Sequence, residues 1–179
     1  MRTYTNTRDE SVLALADEAA AVVEKAAEPK TLYRVFDCEV KEKSVIISSL
    51  EFKSERLAEN LKGCKKVIAF GATLGLEVDR KIKLASLTDT AKAAAYHAAG
   101  AALIEEVCDN LEEEIKKDLG VTLRQRYSPG YFDLELFEQI KFFSLLELTK
   151  RIGITLTDSL LMVPSKSVTA FIGIEDGND

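Results

Sequence analysis

Residues 124 to 131, RQRYSPGY, put two arginines, a proline, a glycine and two tyrosines into one connection. Arg126 offers a planar fork of N–H donors that matches a carboxylate. Tyr131 adds an aromatic face and a hydroxyl. Pro129 restricts Ser128 to extended geometry and Gly130 permits a positive φ, so main-chain groups here can turn toward a ligand instead of a ladder. Such a turn suits an amphipathic small molecule that has both a carboxylate and an aromatic ring. On composition alone, a surface turn with a salt-bridged arginine has about equal claim.

Other residues with chemical potential lack partners at useful spacing. FGATLG, residues 70 to 75, follows an expected strand and opens an expected helix, the setting in which backbone N–H groups hold an anion. It lacks both the third glycine of a dinucleotide fingerprint and the Gly-Lys-Ser/Thr of a phosphate loop, so a structural turn is the first reading and a lining role the second. His97, the only histidine, sits among alanines with no second ligand at metal spacing and reads as an ordinary helix histidine. No serine lies in a G-x-S-x-G turn. Asp89, Asp109 and Glu112 to Glu114 read as a helix cap and solvated charge. Cys38, Cys64 and Cys108 are odd in number and far apart, which argues against a disulfide framework and a structural zinc site and for small buried apolar residues in a reducing compartment. No catalytic side chain and no metal ligand set are expected.

The elements that must position the turn are legible in the pattern. The chain has 179 residues, 46% apolar, with a net charge of -6 and a pI near 5.0. These bounds fit a single domain over residues 1–179 and argue against a nucleic-acid surface. The N-terminus lacks the apolar stretch of a secretory signal, and the most apolar run, residues 93 to 104, is too short for a membrane span, so a cytoplasmic protein is expected.

Asp9 or Ser11 can cap a first docking helix over about 9–27, with Val12, Leu15, Ala19, Val22 or Val23 and Ala26 on one stripe and Pro29 beyond it. Residues 32–40 and 44–49 form a hairpin. A short helix follows over 54–62, then a buried strand over 67–70, a glycine turn and a helix from about 73 to 85. The longest element is an amphipathic helix near 88–119, with Ala94, Ala98, Ala101, Ile104, Cys108, Leu111 and Ile115 on its inner stripe and Gly120 at its end. A strand over 121–126, one or two helices over 134–151, and strands over 160–163 and 168–174 complete an α+β fold, with a mixed or antiparallel sheet and several helices.

With these elements in place, RYSPGY, then Asp133 and Gln139, then IGITLTDSLLMVPSKSVTAFIGI (residues 152 to 174) closely resemble the activation domain of cobalamin-dependent methionine synthase. The likeness is greatest to its small stand-alone bacterial form. The resemblance implies that the motif Arg-x-x-x-Gly-Tyr, here in the C-terminal part over 121–174, holds S-adenosylmethionine. Arg126 would meet the methionine carboxylate, the backbone around Ser128 the adenine, and Gly130 and Tyr131 would complete the pocket. Full-length synthases add an acidic residue from an upstream helix, where this chain offers Ala101 or Glu105. The implied role is an accessory subunit that presents S-adenosylmethionine while an electron donor such as flavodoxin reduces cob(II)alamin on a partner methionine synthase. Cobalamin would come only with that partner, since the Asp-x-His-x-x-Gly signature is missing at residues 95 to 100. The alternative is a non-catalytic binding or adaptor module for a corrinoid protein. A third, an independent methyltransferase, lacks a visible base for activating an acceptor.

Overall fold

The computed structural model describes residues 10–175. In chain order they form α1 (Glu10–Ala26), β1 (Lys30–Val40), β2 (Ser44–Ile47), β3 (Leu50–Lys53), α2 (Glu55–Asn60), β4 (Lys66–Thr73), α3 (Leu76–Ser86), α4 (Thr90–Leu119) and β5 (Thr122–Leu123). Then come α5 (Gln139–Leu146), α6 (Leu148–Ile152), β6 (Thr155–Leu156), β7 (Met162–Val163) and β8 (Ser167–Glu175). The fold is α+β. Six strands make one antiparallel sheet in the order β3-β2-β1-β4-β8-β5, and β6 pairs with β7 in a separate two-stranded sheet.

Alternation along the two central strands divides the core. Ile68, Phe70, Ala170 and Ile172 face α1, α3 and α4, packing with Val23, Val78, Ile104, Cys108 and Ile115. Val67, Ala69 and Phe171 face the opposite way, toward Leu57, Phe142, Leu146 and Leu148 of α2, α5 and α6. α1 lays Ala19 and Val23 against this framework and leaves Val12 and Leu13 exposed. The expected cap Asp9 lies outside the described residues.

Local chemistry explains most boundaries. Asp89 caps α4 by accepting from the N–H groups of Ala91 and Lys92, and Gly120 closes it at φ 63°. Ser54 caps α2 by accepting from Leu57 N. Ser48 and Ser49, both at positive φ, turn the chain between β2 and β3.

Several expectations need correction. Gly71 does not turn the chain: β4 continues through it to Thr73, with Gly71 paired to Leu32 of β1 and Thr169 of β8, and since a Cβ there would stand 2.6 Å from Leu148 Cδ2, the glycine lets α6 approach closely. α3 therefore starts at Leu76, after Gly75. The inner stripe of α4 is also rotated in its first half. Ala94, Ala98 and Ala101 are exposed, while Tyr96 and Gly100 are buried. Gly100 makes room for Lys166, whose side chain a Cβ there would meet at 3.1–3.3 Å. β3 is an additional strand. The strand expected over 121–126 is regular only at Thr122–Leu123, with one further bridge from Tyr127 to Phe171. The two C-terminal strands belong to different sheets, β7 with β6 and β8 with β4.

Candidate functional site

The short β5 leaves part of β8 uncovered. Thr122 and Leu123 pair with Glu175 and Ile174, Arg124 N donates to Gly173 O, and Tyr127 exchanges both main-chain hydrogen bonds with Phe171 at 2.8 Å. The chain then turns away at Ser128. Strand parity gives Thr169 and Ser167 the same outward main-chain orientation as Phe171 and Gly173, and no described strand pairs with them on that side. This open edge, the turn and α2 enclose a cavity of about 860 Å³, within the roughly 300–1,000 Å³ typical of small-molecule sites. Its walls include Arg126, Tyr127, Ser128, Pro129, Tyr131 and Phe132 from the connection. Arg56, Glu59 and Asn60 come from α2, Glu105 from α4, and Met162 and Ser167–Thr169 from the end of the chain.

The structure thus brings Arg126, Ser128 and Tyr131 to one cavity. Gly130 is not among its lining residues. It shapes the wall instead: at φ 90° it turns the chain so that its N–H donates to Leu134 O at 2.7 Å, and Leu136 packs against its bare face. Tyr131 is 64% exposed and Phe132 85% exposed at the rim, where the Phe132 ring stacks on Tyr127 at 6.1 Å between centroids.

Arg126 has a richer environment than the turn alone suggested. Its Nη1 donates to Asp109 at 2.7 Å and Glu112 at 2.6 Å, and its Nη2 donates to Glu105 at 2.5 Å. Burial works against the charged guanidinium, but these three carboxylates outweigh it and hold its pKa above the ordinary arginine value. Asp109 and Glu112 are not solvated charge, as their pattern suggests, but grip the arginine. The signal was available, since 105, 109 and 112 lie at spacings of four and three, one face of a helix. Among the three, only Glu105 lines the cavity. Cys108 lies on the same helix, where burial pushes its thiol up to about 12.

Sequence reasoning also missed the role of Asp133. It accepts from Ser54 Oγ at 2.6 Å, Glu55 N at 2.7 Å, Arg56 N at 3.2 Å and Tyr127 Oη at 3.3 Å. Desolvation opposes its charge, yet the Ser54 hydroxyl and the α2 N–H groups together outweigh it and keep its pKa below the usual aspartate value. His97 is exposed, with Nδ1 at 3.2 Å from the buried Lys166 Nζ. FGATLG contributes to β4 and the start of α3, not to this cavity.

The family described as the vitamin B12 dependent methionine synthase activation domain matches residues 53–177. The chain belongs to that family. Among solved structures it is similar to the MetH reactivation domain bound to AdoHcy, with a TM-score of 0.72 and 19% sequence identity over 95% of this chain and 67% of that one. At that identity the likeness establishes the fold. No curated protein sequence matches. Within this activation domain, the matched residues hold α2, α4, the RYSPGY turn and β8, hence every wall of the cavity. α1, β1 and β2, which complete the sheet and one helical layer, precede the match. Among the described residues no helix is long and apolar enough to cross a membrane, and no cluster of three or more His, Cys, Asp or Glu is placed to hold a metal.

Proposed function

We propose that this chain, working as a single unit, is a reactivation subunit that binds S-adenosylmethionine and supports reductive methylation of cob(II)alamin on a cobalamin-dependent methionine synthase. The observation that carries the reading is the joining of Arg126, Ser128 and Tyr131 at one cavity in an activation-domain fold. The similar MetH reactivation domain has AdoHcy bound, which supports a ligand of the same class here.

The residues present fit such a ligand. Arg126 Nη2 is bonded to Glu105, the one carboxylate of its three that lines the cavity. A ligand carboxylate can take over Nη2 while Asp109 and Glu112 keep Nη1 in place. Glu105, released, faces the ligand's ammonium and sulfonium charges. The outward N–H and C=O groups of Thr169 and Ser167, with the backbone at Ser128, offer donors and acceptors to a heterocycle, and Tyr131 and Phe132 offer aromatic faces. S-adenosylmethionine supplies the electrophilic methyl group on its sulfonium. This chain's own contribution is to bind, orient and expose that group, a task of positioning that requires no acid or base. Cobalamin comes with the partner synthase, and an electron donor such as flavodoxin provides the reducing equivalent.

One observation favours a second reading, an adaptor that docks on a corrinoid protein without using the ligand. Arg126 is already bonded to three carboxylates, so any ligand carboxylate must compete with them. Reactivation of an inactive cob(II)alamin synthase separates the two. With reductant and S-adenosylmethionine, the first reading predicts recovery of activity that depends on both this chain and S-adenosylmethionine. Recovery that needs the chain but not S-adenosylmethionine supports the adaptor.

A further inference from the structure

Two of the cavity's walls differ in origin, and one side chain joins them. The connection 127–134 supplies Tyr127, Ser128 and Tyr131, while α2 supplies Arg56, Glu59 and Asn60. Asp133 belongs to the first wall in sequence, yet its carboxylate sits at the start of α2. Oδ2 accepts from the N–H groups of Glu55 and Arg56, and Oδ1 accepts from Ser54 Oγ and Tyr127 Oη. Two of the donors are main-chain N–H groups of α2's first turn, which have no partner within the helix. Ser54 serves both ends: its oxygen accepts from Leu57 N at 2.8 Å while its hydroxyl proton goes to Asp133.

We propose that Asp133 is a positioning residue, a brace that fixes the ligand-bearing turn against α2 and so sets the width of the cavity and the placement of Tyr127 and Tyr131. This rests on the reading that the cavity takes S-adenosylmethionine.

Three features make a brace a better description than an incidental surface bond. Asp133 lies only two residues after Tyr131, so its anchoring constrains the aromatic rim directly. The intervening turn has few ties of its own: Tyr131 N to Ser128 O at 3.3 Å, Leu134 N to Tyr131 O at 3.1 Å, Gly130 N to Leu134 O, and a long contact from Tyr127 Oη to Tyr131 O at 3.4 Å. The four donors also call for a charged acceptor. An amide has one acceptor oxygen and two donor hydrogens, so Asp133→Asn keeps the shape but turns its NH2 either toward the two α2 N–H groups or toward the Ser54 and Tyr127 hydroxyls, and in both orientations donors that now meet the carboxylate lose their acceptor.

The test uses the full chain, S-adenosylmethionine and three variants. Calorimetry of wild type and Asp133→Asn is expected to show about tenfold weaker binding in the variant, the scale of one charge-assisted hydrogen bond. Tyr127→Phe removes the hydroxyl that reaches both Asp133 Oδ1 and Tyr131 O and is expected to weaken binding about threefold, the lower range for a single hydrogen bond. Because the two share the Tyr127–Asp133 contact, the double variant should lose less affinity than the product of the two single effects, whereas independent losses would multiply. If wild type binds and Asp133→Asn binds within a factor of two, or the double variant shows the product of the single effects, the brace is refuted. If wild type itself gives no heat, the ligand reading fails, and hydrogen exchange decides the brace separately. Faster exchange at the Gly130 and Leu134 amides in Asp133→Asn supports it, and unchanged exchange refutes it. Should Asp133→Asn fail to fold, Tyr127→Phe applies the same criteria of affinity and exchange: no change in either refutes the brace.

Discussion

Arg126 Nη1 lies 2.6 Å from Glu112 Oε1, a contact between the irregular strand end and the second half of the longest helix. The arginine side chain is 24% exposed and Glu112 16%, so water screens this pair less than it screens the exposed pairs elsewhere on the surface. The contact holds one edge of the guanidinium on α4 and leaves Nη2 beside the cavity-lining Glu105. Arg126 thus has a structural task as well as its proposed ligand task, and the two can be separated by experiment.

Glu112→Gln should leave the fold largely intact, lowering stability by about 1 kcal/mol, because Asp109 still holds Nη1. It should weaken S-adenosylmethionine binding about three- to tenfold, as the guanidinium loses a fixed orientation. Thermal unfolding and calorimetry on the same preparations measure the two effects. Unchanged affinity would show that Glu112 serves folding only.

A methyl group at Gly173 would meet Cys64 Sγ at 2.8 Å, Leu61 Cδ2 at 2.9 Å and Arg124 Cδ at 3.3 Å. Gly173→Ala should therefore cost about 1–3 kcal/mol through overpacking. That corresponds to a fall in Tm of several degrees, at about 2–4 °C per kcal/mol for a chain of this size. An unchanged Tm would mean that Leu61 and Cys64 move aside freely.

Lys166 is buried, and desolvation lowers its pKa although Asp79 opposes the shift. Between that lowered folded value and the ordinary lysine value of 10.5 the unfolded chain binds more protons, so stability rises with pH across this window. Below the window the buried ammonium is a constant cost. Lys166→Met, which keeps the stem lying across Gly100, should raise Tm at pH 7, and the gain should shrink as pH approaches 10.5. Denaturation curves at pH 7 and pH 10 check the sign; a gain that grows with pH would contradict it.

With its thiol pushed up to about 12, Cys108 is a poor nucleophile in the folded chain. Alkylation at pH 8 followed by peptide mass mapping should leave Cys108 unmodified until guanidinium unfolds the protein. Modification of the native chain at Cys108 would place that face of α4 in contact with solvent.

The sequence made the centre of the candidate site legible more readily than its supports. Arg126, Ser128, Gly130 and Tyr131 stood out because proline and glycine punctuate the turn and the arginine has a directional fork; three of them line the cavity, and Gly130 shapes its wall from outside. The ends of α4 were equally readable, since Asp89 and Gly120 act through local chemistry. Its inner stripe was not, because alanine fills both faces of the first half and periodicity cannot choose between them; Tyr96 and Gly100 were the discriminating residues. Gly71 was misread because a glycine signals either a turn or a close approach, and only the position of Leu148 distinguishes them. Asp133 was visible as part of a motif, but its partners Ser54, Glu55 and Arg56 are more than seventy-five residues away in sequence. No local pattern encodes such a pairing.

The central claim, that this activation domain holds S-adenosylmethionine through Arg126, is tested most directly by isothermal titration of the wild-type chain and Arg126→Ala with S-adenosylmethionine. A saturable 1:1 isotherm for wild type, weakened roughly 10- to 150-fold in Arg126→Ala, is the predicted result, the range for losing a charged hydrogen-bonding partner of about 1.5–3 kcal/mol. Circular dichroism must show the variant folded. No heat from wild type, or equal affinity in a folded Arg126→Ala, would contradict the account.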